Sequence, residues 1–249
     1  MRSVLALCAL GFTISSSSFA QHAEESALQL EPANTDVSDT ASLQRGAKYF
    51  VNYCLGCHSA EYVRYNRLGA DLDLSEDEII ENIMFTGERP FDTMINAITA
   101  DDAARWFGVT PPDLSLIARS RGTDYLYNFL RGFYQDESAL TGANNVWLEN
   151  TAMPHVLWEL QGVRRAVFVD GEINGVAIQV FEHFETETPG TLSESAYDEV
   201  VRDIVTFLDY ISEPMQLERR ALGVRVIGFL LIFLLIAYML KREIWKDVH

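Results

Sequence analysis

Residues 54 to 58 read Cys-Leu-Gly-Cys-His, and few runs of this length limit a fold as tightly. Two thiols at this spacing followed directly by an imidazole form the attachment signature of a c-type haem. Each thiol can reach one vinyl group of a porphyrin, while the histidine is held under the iron as an axial ligand. Competing chemistries fit less well. A zinc site needs further Cys or His at short spacing, yet the remaining cysteine is Cys8, and His22, His155, His183 and His249 are scattered. A thioredoxin-like dithiol belongs beside a βαβ pattern and needs no histidine, whereas residues 40–70 read as helix and polar loop.

Haem is attached to such cysteines outside the cytoplasm, and the N-terminus carries an export signal. Arg2 is a short positive start, Val4 to Ile14 is an apolar core too short to span a bilayer, and Ser18-Phe19-Ala20 is a small-x-small cleavage site before Gln21. Cleavage there removes Cys8, so both mature cysteines are committed to thioethers. A second apolar run, Ala221 to Leu240, has the length that a bilayer core requires. Arg225 lies one turn inside it and can snorkel to the headgroups. After a cleaved signal this run acts as a stop-transfer anchor, with Lys241, Arg242 and Lys246 on the cytoplasmic side. The expected organisation is a cleaved signal peptide at 1–20, a flexible acidic arm at 21–39, a periplasmic haem domain at 40–218, a membrane anchor at 221–240 and a cytoplasmic tail at 241–249.

Residues 21–218 hold 34 Asp and Glu against 12 Lys and Arg, a net charge of −22. Such a field argues against nucleic acid and would steer a basic protein toward the domain. Acidity also serves solubility, so the charge names a sign of partner and no protein.

Along the exported chain, Thr40 is expected to cap a helix whose face carries Leu43, Ala47, Phe50 and Val51 and which leads into the haem motif. Ser75 to Met84 starts with Ser-Glu-Asp-Glu and reads as a packing helix. Thr99 to Trp106 reads as another, closed by Gly108 and Pro111-Pro112. Two more are expected at Asp113 to Arg119 and Thr123 to Tyr134, broken at Gly122, with Tyr125, Phe129 and Phe133 at helical spacing. Ala166 to Val169 and Val176 to Phe184, with Asp170-Gly171 and Asn174-Gly175 between them, predict a small β-hairpin. Thr191-Leu-Ser-Glu194 resembles a capping box opening a long helix through Tyr210, with Val200, Ile204, Phe207 and Leu208 inward. The fold class is therefore mainly α: a c-type cytochrome domain with a small β-hairpin insertion and one C-terminal transmembrane helix.

An electron carrier needs a second strong axial ligand, because an open sixth position admits oxygen or substrates. Met84 and Met94 read as core, and Met215 and Met239 lie at or in the membrane. Met153 stands in Thr-Ala-Met-Pro-His, where an irregular loop stiffened by Pro154 could present a thioether, and His155 is its competitor. Without such a ligand the chain would suit a haem enzyme with an open sixth site.

Four stretches occur together and in order: RGAKYFVNYCLGCHSAEYVRYNRL, TPPDLSLIARSRGTDYLYNFLRGFY, AMPHVLWELQG and EPMQLERRALGVRVIGFLLIFLLIAYMLKREIWKDV. Over residues 40–249 the chain resembles the cytochrome c1 family, the haem-bearing subunits of quinol:cytochrome c reductase. The resemblance implies one covalently bound haem c on Cys54 and Cys57, with His58 and Met153 as its axial ligands. It also implies that Pro112, Arg121, Tyr125 and Leu130 line or hydrogen-bond the haem, with Arg121 rather than Arg119 near a propionate. Some family members carry an additional disulfide, for which this chain has no cysteines after cleavage. The implied partners are cytochrome b, the Rieske iron–sulfur protein and a mobile c-type cytochrome acceptor with a basic docking face, beside membrane lipid. No catalytic residue is expected on the chain itself, which would be enzymatic only as part of a quinol–cytochrome-c reductase. The rival reading of the same residues is an anchored c-type cytochrome outside that complex.

Overall fold

The computed structural model describes residues 28–173 and 176–247. The expected signal peptide with Cys8, and the hairpin turn at Asn174-Gly175, lie outside the described residues.

The first helix, α1 (Thr40–Tyr49), is capped by Asp39, whose side chain accepts from the Ser42 N–H at 3.1 Å; Thr40, expected as the cap, is already helical. Asp39 takes this position because its backbone is still extended. α1 runs on through a π-helical turn, Phe50–Cys54, which ends at the first motif cysteine. Strand β1 (Ala60–Arg64) follows, then α2 (Tyr65–Asp71) and α3 (Glu76–Asn82). Ser75 and Glu78 form a reciprocal capping box on α3. Strand β2 (Thr93–Met94) pairs antiparallel with β1, and α4 (Ala100–Phe107) is capped by Thr99 and stopped by Gly108 at φ +75°.

The second half starts with α5 (Ile117–Arg121) and α6 (Thr123–Arg131), separated by Gly122 at φ +87°. This αβ-forbidden backbone angle for larger side chains is why the two cannot merge. Strands β3 (Phe133–Gln135) and β4 (Ala143–Asn145) pair antiparallel, and the short α7 (Trp158–Gln161) leads into β5 (Gly162–Ile173) and β6 (Val176–Pro189). The β5–β6 ribbon pairs from Gly162↔Pro189 to Ile173↔Val176, well beyond the two short runs expected. Its outer portions are polar on both strands, so hydrophobic patterning does not mark them. The cross-strand pair of Arg165 with Glu185 continues the ladder there.

The long helix α8 (Glu194–Ser212) is capped by Ser193, which accepts from the Ala196 N–H at 3.3 Å. The expected Thr191 box does not form, because the Thr191 hydroxyl donates to the Glu159 carbonyl instead. α8 crosses α1 as the spine of the core. Phe50 and Phe207 meet with ring centroids 5.3 Å apart, and a Cβ at Gly46 would collide with the Asp203 carbonyl and the Phe207 Cβ. Only glycine permits this approach of the two backbones. Asp203 seals the crossing, accepting from both Arg45 Nε (2.6 Å) and Nη2 (2.8 Å) and from the Ser42 hydroxyl (2.6 Å).

The described part of the acidic arm, expected to be poorly packed, is tied to the domain. Ala33 is fully buried, its N–H donates to Asp124 at 2.8 Å, Asn128 bonds both the N–H and the carbonyl of Glu31, and the Glu31 carboxylate pairs with Arg131 at 2.6 Å. An extended strand of chain satisfied by α6 side chains shows no hydrophobic period, which is why its docking is invisible to pattern.

Helix α9 (Gln216–Ile244) begins three residues after α8 ends and extends past the expected span on both sides. Its apolar window has a mean hydropathy of 2.4 and is uncovered by the other described residues. Among the described residues it is the one helix long and apolar enough to cross a membrane.

Candidate haem site

The π-helical turn feeds a tight turn in which the Cys57 N–H (3.0 Å) and the His58 N–H (2.9 Å) both donate to the Cys54 carbonyl. π turns widen a helix locally and recur at functional sites; this one delivers Cys54, Cys57 and His58 to the wall of a single cavity. Asn96 secures the turn from outside, donating from its side chain to the Cys57 carbonyl and from its N–H to the Ser59 hydroxyl at 3.0 Å. Sequence reading missed Asn96, since a lone polar residue far along the chain carries no signal of what it will hold.

His58 Nδ1 lies 2.8 Å from the Pro112 carbonyl oxygen. An N–H donated there fixes the tautomer with the Nε2 lone pair free, the arrangement a metal-ligating imidazole needs. Burial lowers the His58 pKa, with the Pro112 bond and Asp113 opposing it. Pro112 was expected to line or bond the haem; here it lines the cavity and also orients the histidine. Burial, with Cys57 adding, pushes the Cys54 thiol up to about 12, so it sits as an uncharged group among apolar neighbours.

The cavity holds about 310 Å³. That is far more than the ~30 Å³ share of one water, so the space is no packing defect. Its walls are mostly apolar. Tyr125, Leu126, Phe129 and Leu130 come from α6, Phe107 from the end of α4, Val109 and Pro111 from the segment after it, and Ile204 and Leu208 from α8. Tyr125 and Leu130 were singled out from the sequence; Ile204 and Leu208 were read only as inward-facing, a stripe that could have flagged them. Arg121 also lines the cavity, its guanidinium 5.9 Å from the Tyr125 ring centroid. Arg119 turns away and pairs with Glu213 at 3.3 Å.

Met153 reaches the same cavity with Ala152 and Pro154, from a stretch without regular structure. His155 does not line it. Its ring lies on Phe133, and burial together with nearby Arg164 pushes its pKa down to about 4. Met94 is fully buried in β2 and Met84 packs against the core, as their sequence settings suggested.

The donor set around this cavity is two thiols, one imidazole with its second nitrogen engaged, and one thioether. Among the described residues no three His, Cys, Asp or Glu side chains converge as a metal cluster would require. The set fits a porphyrin, which supplies four nitrogen ligands itself and asks the protein for two attachment points, two axial donors and flat apolar walls.

A family model described as the Cytochrome C1 family matches residues 33–248. A cytochrome c1 of Allochromatium vinosum is 48% identical over 88% of this chain and 90% of its own length. An ammonia monooxygenase gamma subunit of Nitrosomonas europaea is 44% identical over 93% of this chain and 94% of its own. A cytochrome c1 of Rhodospirillum rubrum is 30% identical over 84% and 83%. A cavity that gathers two thiols, an imidazole and a thioether, an apolar C-terminal helix and a match over residues 33–248 agree: the chain belongs to the cytochrome c1 family, electron-transfer subunits of the bc1 complex that carry one covalently bound c-type haem.

Proposed function

We propose that Cys54 and Cys57 hold the haem by thioether bonds, that His58 and Met153 ligate its iron, and that the chain takes electrons from a Rieske iron–sulfur protein, beside cytochrome b, and delivers them to a mobile c-type cytochrome. The observation that carries this reading is the convergence of Cys54, Cys57, His58 and Met153 on one apolar cavity. The bound haem supplies reversible one-electron exchange. The chain's own groups make that exchange useful. The Pro112 carbonyl orients His58, while Tyr125, Phe129 and Leu130 keep water from the site. A filled sixth position excludes oxygen and limits reorganisation. Arg121 offers its charge to a propionate, a charge-assisted contact that helps set the potential.

The chain breaks no bond in a substrate and acts in quinol:cytochrome c oxidoreduction as one subunit. It is anchored once in the cytoplasmic membrane, with the haem domain on the periplasmic side and the C-terminus cytoplasmic. What supports this orientation is the export signal read from the sequence, followed by the one helix among the described residues that is long and apolar enough to span a membrane. The acidic domain favours an acceptor with a basic face, so the encounter rate should fall as salt rises.

Two measurements test the reading. Methionine-ligated ferric haem shows a weak far-red absorption band, and Met153→Leu should abolish it while the haem stays covalently attached. A band that survives the substitution overturns Met153 as ligand. Mild detergent extraction should bring cytochrome b and the Rieske protein down with this chain. Their absence, with another membrane oxidoreductase in their place, would move the carrier to a different complex, as the name of the Nitrosomonas relative invites.

A further inference from the structure

Met153 and Pro154 line the haem cavity, whereas the next residue, His155, faces the other way into the fold. Its ring lies flat on Phe133, with centroids 5.0 Å apart and 2° between the planes, and Phe133 is only 1% exposed. Phe133 meets Phe129 edge-on at 5.2 Å, and Phe129 stacks on Tyr125 at 6.0 Å. Phe129 and Tyr125 belong to the cavity wall. An aromatic row thus runs from that wall on α6, through β3, to the residue two positions after the thioether.

The segment that carries Met153 is held at its ends, by buried Thr151 on one side and buried Leu157 on the other, and His155 lies between them. It lies between β4 and α7 without regular structure; ordinary hydrogen bonds such as Asn150 N to Asn144 Oδ1 at 2.9 Å hold its start, but those nearest the thioether are long, Met153 N to Thr151 Oγ1 at 3.4 Å and Trp158 N to the His155 carbonyl at 3.3 Å. Hydrogen bonding explains a histidine here only in part: Gln161 bears on the imidazole, but no hydrogen bond of normal geometry joins the two. His155 Nε2 is buried without a partner, as are Gln161 Oε1 and Arg164 Nε nearby. What the site takes from His155 is a flat ring.

We propose that His155 is a positioning residue: stacked on Phe133, it anchors the loop so that the Met153 thioether stays on the iron against exchange with other ligands. The inference rests on the reading of Met153 as the sixth ligand, and it assigns the neighbouring histidine a role other than ligation. A loop anchored between its ends by a buried stack leaves the thioether few positions to visit, so a competing ligand must break the stack or displace a preorganised donor.

The test is a titration of the ferric haem with imidazole in the detergent-purified full-length protein, followed by loss of the far-red band. His155→Ala and Phe133→Leu should each raise imidazole affinity by up to about tenfold, the worth of one lost ring stack. His155→Phe, which restores a flat ring, should bind imidazole as the wild type does and keep the band. The double variant should bind no more tightly than His155→Ala alone, since both changes break one contact. Wild-type behaviour in His155→Ala, or in Phe133→Leu should the alanine variant not fold, overturns the proposal. So does a His155→Phe protein that binds imidazole as tightly as the alanine variant, because the nitrogen and not the ring would then matter. If Met153→Leu abolishes the band while these variants behave as wild type, the ligand assignment stands and the anchoring role falls. A band that survives Met153→Leu overturns both.

Discussion

Arg119 and Arg121 lie two positions apart on one short helix and have different tasks. Arg121 borders the haem cavity beside Tyr125, while Arg119 reaches Glu213 at the end of α8. A guanidinium near a propionate stabilises the charged carboxylate and, as a positive charge near the iron, favours the ferrous over the ferric state, so its loss should lower the reduction potential. Arg121→Leu is expected to lower the potential by an amount of the order of one tenfold step, roughly 59 mV for one electron. Arg119→Leu should leave it unchanged within error, and equal shifts in both variants during a redox titration would sink the assignment. Tyrosines set a second expectation. Tyr197 donates to the Leu130 carbonyl at 2.9 Å and Tyr210 to Asp71 at 2.7 Å. Burial raises both pKa values, and for Tyr210 the bond to Asp71 raises it further. The folded protein therefore keeps these protons after the unfolded chain releases them near pH ~10. Their contribution is whole below that pH and is lost as pH rises toward the folded values. Helical circular dichroism should show stability falling above about pH 10, less steeply in Tyr210→Phe.

At the scale of elements, the crossing of α1 and α8 decides whether the motif meets its pocket. α1 delivers Cys54 through the π-helical turn, and α8 supplies Ile204 and Leu208 to the opposite wall. Gly46 allows the contact and Asp203 locks it. Gly46→Val inserts two methyl groups where a single Cβ already collides, and should cost about 1–3 kcal/mol or displace the helices. Asp203→Ala leaves the Ser42 hydroxyl and the half-exposed Arg45 without their acceptor, for about 1–3 kcal/mol. Urea midpoints of the haem-loaded protein in detergent would read both. A midpoint unchanged by Gly46→Val would mean the helices are further apart than described.

For the whole molecule, the junction between the haem domain and its anchor is the unusual part. Three residues, Glu213 to Met215, separate α8 from α9. Glu213 engages Arg119 on one side and Arg219 on the other, and Gln216 reaches back to Asp209 at 3.4 Å. The arginines are more than half exposed, so each pair is worth no more than about 1 kcal/mol and is screened by salt. The short connection itself is the stronger constraint on how the domain stands over the membrane. A stop codon after Ser212 should release a haem-containing domain into the soluble periplasmic fraction. Retention of that truncated chain in washed membranes would show that other contacts, and not α9 alone, hold it there.

Much of this architecture was legible in the chain because it rests on local chemistry. The thiols and imidazole of Cys54, Cys57 and His58 match a haem-attachment signature by spacing alone. The caps at Ser75 and Thr99, the stop at Gly108 and the apolar length of α9 follow from hydrogen-bond and hydropathy rules that act within a few residues. Where two local solutions competed, tertiary contacts chose. Thr191 gave its hydroxyl to Glu159 and left the cap of α8 to Ser193. The arm before α1 docked on Asp124, Asn128 and Arg131, partners about a hundred residues away. Sequence by itself marked Cys54, Cys57 and His58 as groups fit to hold a haem and α9 as a helix long and apolar enough to cross a membrane, because those properties belong to residue types and short spacings. Only the tertiary structure decided that Pro112 orients His58, that Arg121 and not Arg119 meets the cavity, and that His155 turns its ring to Phe133. Those choices depend on which distant side chains arrive at the same place, and no local pattern encodes an arrival.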